Sequence, residues 1–411
     1  MTEERFACTE LPGGLLVLSE ALPGVRSVST GVWVRSGSVH ETPAELGASH
    51  LVEHMVFKGT DRRTALEIVQ ALERFGGSLD AYTTREHTAY QARVLDEHFE
   101  LALDVLADMV LNPQLREEDL ELEREVVLEE VSAVEDTPDD LVLELHADAL
   151  WGGHPYGYPI LGTRETVGRL GAEDLRRVHR RGYRGPNLIV AAAGNVRHDE
   201  FVDRVQELFA DAQDGSETAA VPEPQGVRGE RIHVERATAQ THIVLGTTLF
   251  GHKDPRRYAS VLLSCAFDGG MGSRLFQRVR EELGLAYNVY SFQSFYSRGG
   301  VTGVYVGTRH DRAERAESVI REELKRLADH GLTAKELDDA KGLVKGQLVL
   351  ELESTGARLQ RLAGFALYDE PFLTLDELMA KLDAVTLDEV AGVAEEYFDP
   401  ERQVVLRLGP K

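Results

Sequence analysis

Cysteine is nearly absent. Cys8 and Cys265 are the only two in 411 residues, too few for a disulfide framework or for a cysteine-based zinc site. No apolar run approaches the roughly 18 residues of a membrane-spanning helix. The first residues, MTEERFACTELPGG, begin acidic and lack the apolar core of a secretory signal. Positive charge is in deficit: 45 Lys and Arg face 70 Asp and Glu, a formal net charge of −25. Nucleic acid and anionic membrane repel such a chain, so neither is expected as a partner. The expectation is a cytoplasmic protein, with neutral or basic partners.

What is present is a globular composition, 42% hydrophobic and 28% charged. The length suits two domains or three. The clearest break is DAQDGSETAAVPEPQGVRGE, residues 211–230, rich in Ala, Gly, Pro and acids and without apolar period. It reads as an exposed linker between domains at 1–210 and 231–411. A faint repeat relates the two: LREEDLELEREVVLEEV from Leu115 resembles LTAKELDDAKGLVKGQLVL from Leu332, and Gly76-Gly77 before one alternating strand resembles Gly284 before another. Strand-like alternation at 25–36, and at 78–94 as a hairpin or long strand, mixes with helical stretches at 44–57, 63–75, 97–111 and 117–134. The second half repeats the mixture, with strands expected near 232–234, 242–248 and 287–295. The expected fold class is α/β or α+β: two homologous domains, each a mixed, mainly antiparallel sheet packed with helices.

The strongest local signal is GASHLVEHMVFKG, which holds His50, Glu53 and His54. Positions four apart share one helix face, so the two imidazoles can grip one metal ion. Glu53 projects near that face and can take a proton from a water activated there. The spacing HxxEH inverts the common HExxH. The plain alternative is a pair of surface histidines beside a solvated glutamate. Leu51, Val52, Met55 and Val56 argue for a largely buried helix instead, and two buried imidazoles beside a carboxylate need compensation that a metal supplies. Catalytic zinc keeps three protein ligands and one open position. With cysteine excluded, the third must be His, Asp or Glu. The segment 117–134 is crowded with acids, most of them a solvated face. Glu123 and Glu130 stand seven apart on one stripe, and spacing does not choose between them.

Over nearly its whole length the sequence resembles the pitrilysin family of zinc peptidases. The resemblance rests in order on GVWVRSGSVHE, GASHLVEHMVFKGT, GGSLDAYTTREHTAY, EREVVLEEVSAVEDTP, HPYGYPILGT and GGMGSRLFQRVREELGLAYNVYSF. It implies a zinc metalloendopeptidase. His50, His54 and Glu130, the last 76 residues beyond His54, would be its zinc ligands. Glu53 would be the general base, and Glu123 a supporting acid that is not itself a ligand. Arg280 and Tyr287 match the family's pair that binds the substrate backbone and steadies the polarised carbonyl oxygen; read alone, they are an ion-paired helix Arg and a core Tyr. Residues 80–90 resemble the family strand that pairs with an extended peptide. Peptides or unfolded polypeptides are therefore the expected substrates, with basic ones suiting the −25 charge. The family encloses substrate in a chamber of four homologous units and this chain carries two. The implied assembly is a homodimer, or a heterodimer with a related subunit, in which Arg280 and Tyr287 complete the partner's zinc site. The alternatives are a non-catalytic or regulatory subunit of such a complex, or a different metal-dependent hydrolase. The run DGGMGSRLF lacks the pattern of a phosphate loop and reads as a turn into a helix. The histidine of HPYG, His154, is not expected to bind metal.

Overall fold

The most apolar stretch of the first half, Leu188–Gly194 (LIVAAAG), is buried at every residue, as a strand covered on both faces must be. In the computed structural model, which describes residues 5–212 and 215–411, this segment is β6 of a six-stranded sheet. The first four residues of the expected first domain and Gln213–Asp214 of the expected linker lie outside the described residues. The sheet also contains β1 (Arg5–Glu10), β2 (Leu16–Ala21), β3 (Ser27–Val34), β4 (Ser78–Thr83) and β5 (Thr88–Leu95). Their order is β1-β2-β6-β3-β5-β4. Only the β2–β6 pair is parallel.

A second sheet contains β7 (Arg231–Glu235), β8 (Thr241–Leu249), β9 (Ala286–Phe295), β10 (Gly300–Thr308) and β11 (Val404–Gly409), in the order β7-β11-β8-β10-β9. Its one parallel pair is β7–β11. Without β1, the first sheet has the same order and the same single parallel pair at the same place. The faint sequence repeat is thus a repeat of topology: two homologous domains, each a mixed and mainly antiparallel sheet packed with helices.

The chain divides into two compact units, and neither is continuous in sequence. The first draws on Met1–Ser132, Tyr158–Ala220 and Glu351–Phe372; the second on Ala133–Gly157, Val221–Leu350 and Leu373–Lys411. In the first unit, Leu188, Val190 and Ala192 of β6 join the main core with Leu51, Val52 and Met55. The alternate residues Ile189, Ala191 and Ala193 meet Leu359, Leu362 and Ala363 of helix Thr355–Leu367. In the second unit, Val142 of helix Pro138–Trp151 packs with Val244, Tyr305 and Leu406. The outer face of each sheet is therefore covered by a helix from the other half of the sequence.

Element boundaries shift where a local rule overrides periodicity. The helix expected over 44–57 runs only from Ala48 to Met55, followed by a 3₁₀ turn at Val56–Lys58. Gly47 stands before it at φ +89°, a conformation that no helix continues through. The next helix begins at Ala65 because Thr64 and Glu67 form a reciprocal capping box. The segment 78–94 resolves into the β4–β5 hairpin. Of the stretch 80–90, only Asp80–Thr83 belongs to the edge strand β4; Thr88–Tyr90 belong to β5, paired on both sides.

Candidate metal centre

Helix Ala48–Met55 is fixed at its start by three contacts. Gly47 approaches the backbone of Gly162 so closely that an added Cβ would stand 2.6 Å from the Leu161 carbonyl oxygen. Gly162, at φ +75°, makes the reciprocal approach to Leu46 and Gly47. The buried Glu41 carboxylate accepts the N–H of Ser49 at 2.6 Å and of Gly47 at 2.9 Å, covering donors that the first helical turn leaves unpaired. Leu51, Val52 and Met55 are fully buried. They turn the opposite face, with His50, Glu53 and His54, towards helix Glu117–Asp136.

On that second helix Leu120, Glu123, Val127 and Val131 are buried, while Glu117, Glu118, Glu121, Glu125 and Glu129 are exposed. The charge run is a solvated face with two exceptions. Glu130 faces both imidazoles: its Oε2 lies 3.7 Å from Nε2 of His50 and its Oε1 lies 3.7 Å from Nε2 of His54. Glu123 reaches the other nitrogen of His54, with Oε2 3.0 Å from Nδ1. Its second oxygen, Oε1, pairs with Nζ of Lys58 at 2.5 Å. An ionised carboxylate only accepts, so Nδ1 of His54 carries a proton and Nε2 is the ring nitrogen turned towards Glu130.

One ligand atom from each of His50, His54 and Glu130 falls within 4.8 Å of the others, the one such group among the described residues. Tetrahedral zinc at bonds of about 2.0–2.1 Å needs donor atoms roughly 3.3–3.5 Å apart. The donor types, spacing and oriented tautomer fit that ion. Burial, with a smaller contribution from His54, holds His50 down at about 4, so its imidazole is neutral at pH 7. Burial raises the Glu53 carboxyl above the ordinary range against the opposing effects of Thr83 and His54, while Glu130 raises it further. Glu53 does not enter the donor group: its Oε2 accepts a 2.6 Å hydrogen bond from Oγ1 of Thr83.

Arg280 and Tyr287 belong to the second unit. Arg280 sits in a π-helical stretch, Phe276–Glu282, that follows the turn at DGGMGSRLF. Its guanidinium lies over the Tyr287 ring, 4.4 Å from the centroid, and over Phe276 at 4.7 Å. Nη1 also donates to the Tyr287 carbonyl at 3.3 Å. Tyr287 is 78% exposed, unlike the core tyrosine of the plain alternative. His154 spends its ring nitrogens on the Pro222 carbonyl and the Tyr156 N–H. Thr83 and Lys58 went unflagged in the sequence. Lys58 carries a faint signal, four residues after His54, whereas Thr83 carries none because the sheet alone brings it to Glu53.

The chain is of a class built from a repeated α/β unit with an HxxEH helix and a distant glutamate, whose side chains converge as candidate metal ligands. This chain belongs to the insulinase, or pitrilysin, family of that class, peptidase family M16. The family model described as Insulinase (Peptidase family M16) matches residues 16–164, and the one described as Peptidase M16 inactive domain matches residues 169–344. A protein of Streptomyces coelicolor named an uncharacterized zinc protease is 42% identical across 98% of this chain and 89% of its own length. A Bacillus subtilis protein of similar name is 38% identical across 98% and 97%. The crystal structure of a peptidase M16 inactive domain from Pseudomonas fluorescens superposes with a TM-score of 0.93 at 22% identity, covering 99% of this chain and 98% of that one. A protease from Helicobacter pylori gives 0.90 at 21%, covering 99% and 100%. These two establish the shared fold.

Proposed function

We propose that the chain is a zinc-dependent metalloendopeptidase acting on peptides or unfolded polypeptides, with His50, His54 and Glu130 as metal ligands. The observation that carries this reading is the convergence of those three donors within 4.8 Å, beside a carboxylate of the same helix that stays outside the set. Zinc held there supplies a water of lowered pKa and a Lewis acid for the scissile carbonyl. Glu53 takes the proton of the attacking water and hands it to the leaving amine. Glu123, anchored by Lys58, keeps the His54 ring turned with Nε2 towards Glu130. Arg280 and Tyr287 offer a cation and a hydroxyl to the oxygen that gains negative charge. The unpaired side of edge strand β4 accepts an extended peptide by backbone pairing, which implies broad sequence tolerance.

The assembly proposed is a homodimer enclosing a chamber, in which each chain's Arg280 and Tyr287 serve its partner's metal centre. The family's four-unit chamber against the two units here supports it. Replacing Glu53 with Gln tests the core of the proposal. Zinc content should stay at one per chain while turnover of a quenched peptide falls at least ~100-fold. Normal turnover by that variant removes the role given to Glu53. The second reading, a non-catalytic subunit, draws on the inactive-domain description of residues 169–344; the three proposed ligands and Glu53 lie outside that segment. A zinc-loaded wild-type chain that cleaves no peptide in a mixed library would favour it.

A further inference from the structure

A general base must be aimed as well as present. Glu53 carries two equivalent oxygens on a side chain with three rotatable bonds, and an error of about 1 Å at a reacting atom costs on the order of 100-fold in rate. Among the described residues, Thr83 is the one whose side-chain hydroxyl holds it, through Oγ1 at 2.6 Å from Oε2. A carboxylate can only accept, so the threonine proton is committed to Glu53.

The donor is itself rigid. Thr83 is the last residue of β4, directly opposite Thr88 in the hairpin. The two hydroxyl oxygens lie 3.4 Å apart, and Thr88, almost wholly buried, sends its own proton to the Ser36 carbonyl at 3.0 Å. The following turn is tied by the Thr84 N–H to the His87 carbonyl at 2.8 Å and by the Val39 N–H to the Arg85 carbonyl at 2.8 Å. A β-branched side chain on such a backbone has a stiff χ1. The hydroxyl is therefore fixed to the sheet, independently of the helix that carries Glu53.

Resting on the peptidase reading, we propose that Thr83 is a positioning residue for the general base. It immobilises Oε2 of Glu53, so that Oε1 is the oxygen presented for proton uptake. Its hydroxyl is engaged with Glu53 and Thr88 rather than with a proposed metal donor, and its loss should spare metal binding.

The test compares Thr83→Val, which keeps the shape and removes the hydroxyl, with Thr83→Ser, which keeps the hydroxyl. For the zinc-loaded Val variant, kcat should fall roughly 10- to 100-fold with KM changed less than about twofold. Zinc affinity by chelator competition should match wild type, and the Ser variant should restore most of the rate. Crystal structures of both variants without metal supply a readout independent of turnover: Glu53 should leave its present position in Val and keep it in Ser. Wild-type kcat in the Val variant, an unmoved Glu53, or equal losses of rate and zinc affinity in both variants would each overturn the proposal. Failure of the peptidase reading looks different. There the wild type is inactive, or Glu53→Gln turns over normally, whatever the crystal structures show at Thr83.

Discussion

At the scale of single residues, the centre is built from side chains that each serve one atom of a neighbour. His54 needs its Nδ1 proton engaged for Nε2 to remain a donor, and Glu123 engages it at 3.0 Å. Glu123 is buried and gains a cation from Lys58 at 2.5 Å. Lys58→Met should keep the fold and lower zinc affinity, by ~10-fold as for other residues that orient a ligand. Competition with a fluorescent chelator measures this, and an unchanged affinity would show that Glu123 holds His54 without help. HxxEH was legible in the sequence because its geometry follows from 3.6 residues per turn. Lys58 left only its faint spacing signal, since its reach to Glu123 depends on the 3₁₀ turn at Val56–Lys58.

At the scale of elements, helix Ala48–Met55, which carries the proposed histidine ligands, owes its placement to its first turn. Glu41 closes that turn from outside, and burial pushes its carboxyl up to about 7, against the lowering effect of the Ser49 and Gly47 N–H groups. A carboxyl whose folded value lies above its unfolded value adds stability below the unfolded pKa, near 4.5, and loses it as pH rises through the folded one. The metal-free chain should therefore lose stability on this account between about pH 4.5 and 8, on the order of 3 kcal/mol. Glu41→Gln should flatten that part of the profile. Urea unfolding of both chains across the range decides it: parallel profiles would show that Glu41 titrates normally. The sequence located this helix but began it four residues early, because periodicity does not register that Gly47 must sit at positive φ against Gly162.

At the scale of the whole molecule, the proposed ligands lie in one compact unit and Arg280 and Tyr287 in the other. No helix among the described residues is long and apolar enough to cross a membrane. The proposed sharing between subunits predicts complementation. Glu53→Gln chains and Tyr287→Phe chains, each nearly inactive alone, are unfolded together and refolded as mixed dimers. Random pairing makes half of the dimers mixed, each with one intact centre of two, so about a quarter of wild-type activity should return. No recovery would place both groups in a single chain's site. The topological repeat was faintly legible from Gly76-Gly77 against Gly284. The exchange of covering helices was not: nothing in the local sequence of Pro138–Trp151 or Thr355–Leu367 marks either helix as cover for the sheet of the other half.

Local chain geometry settled by itself that His50 and His54 share a helix face, that Glu53 stands beside them, and that the flanking apolar residues bury the helix behind them. It could not choose between Glu123 and Glu130. Seven residues apart they occupy one stripe, some 10 Å from each other along the axis, and both satisfy any rule of spacing. The packing of helix Glu117–Asp136 against helix Ala48–Met55 distinguishes them, setting Glu130 opposite the two Nε2 atoms and Glu123 opposite Nδ1 of His54. That axial register is a property of two surfaces in contact, and no single segment of the sequence contains it.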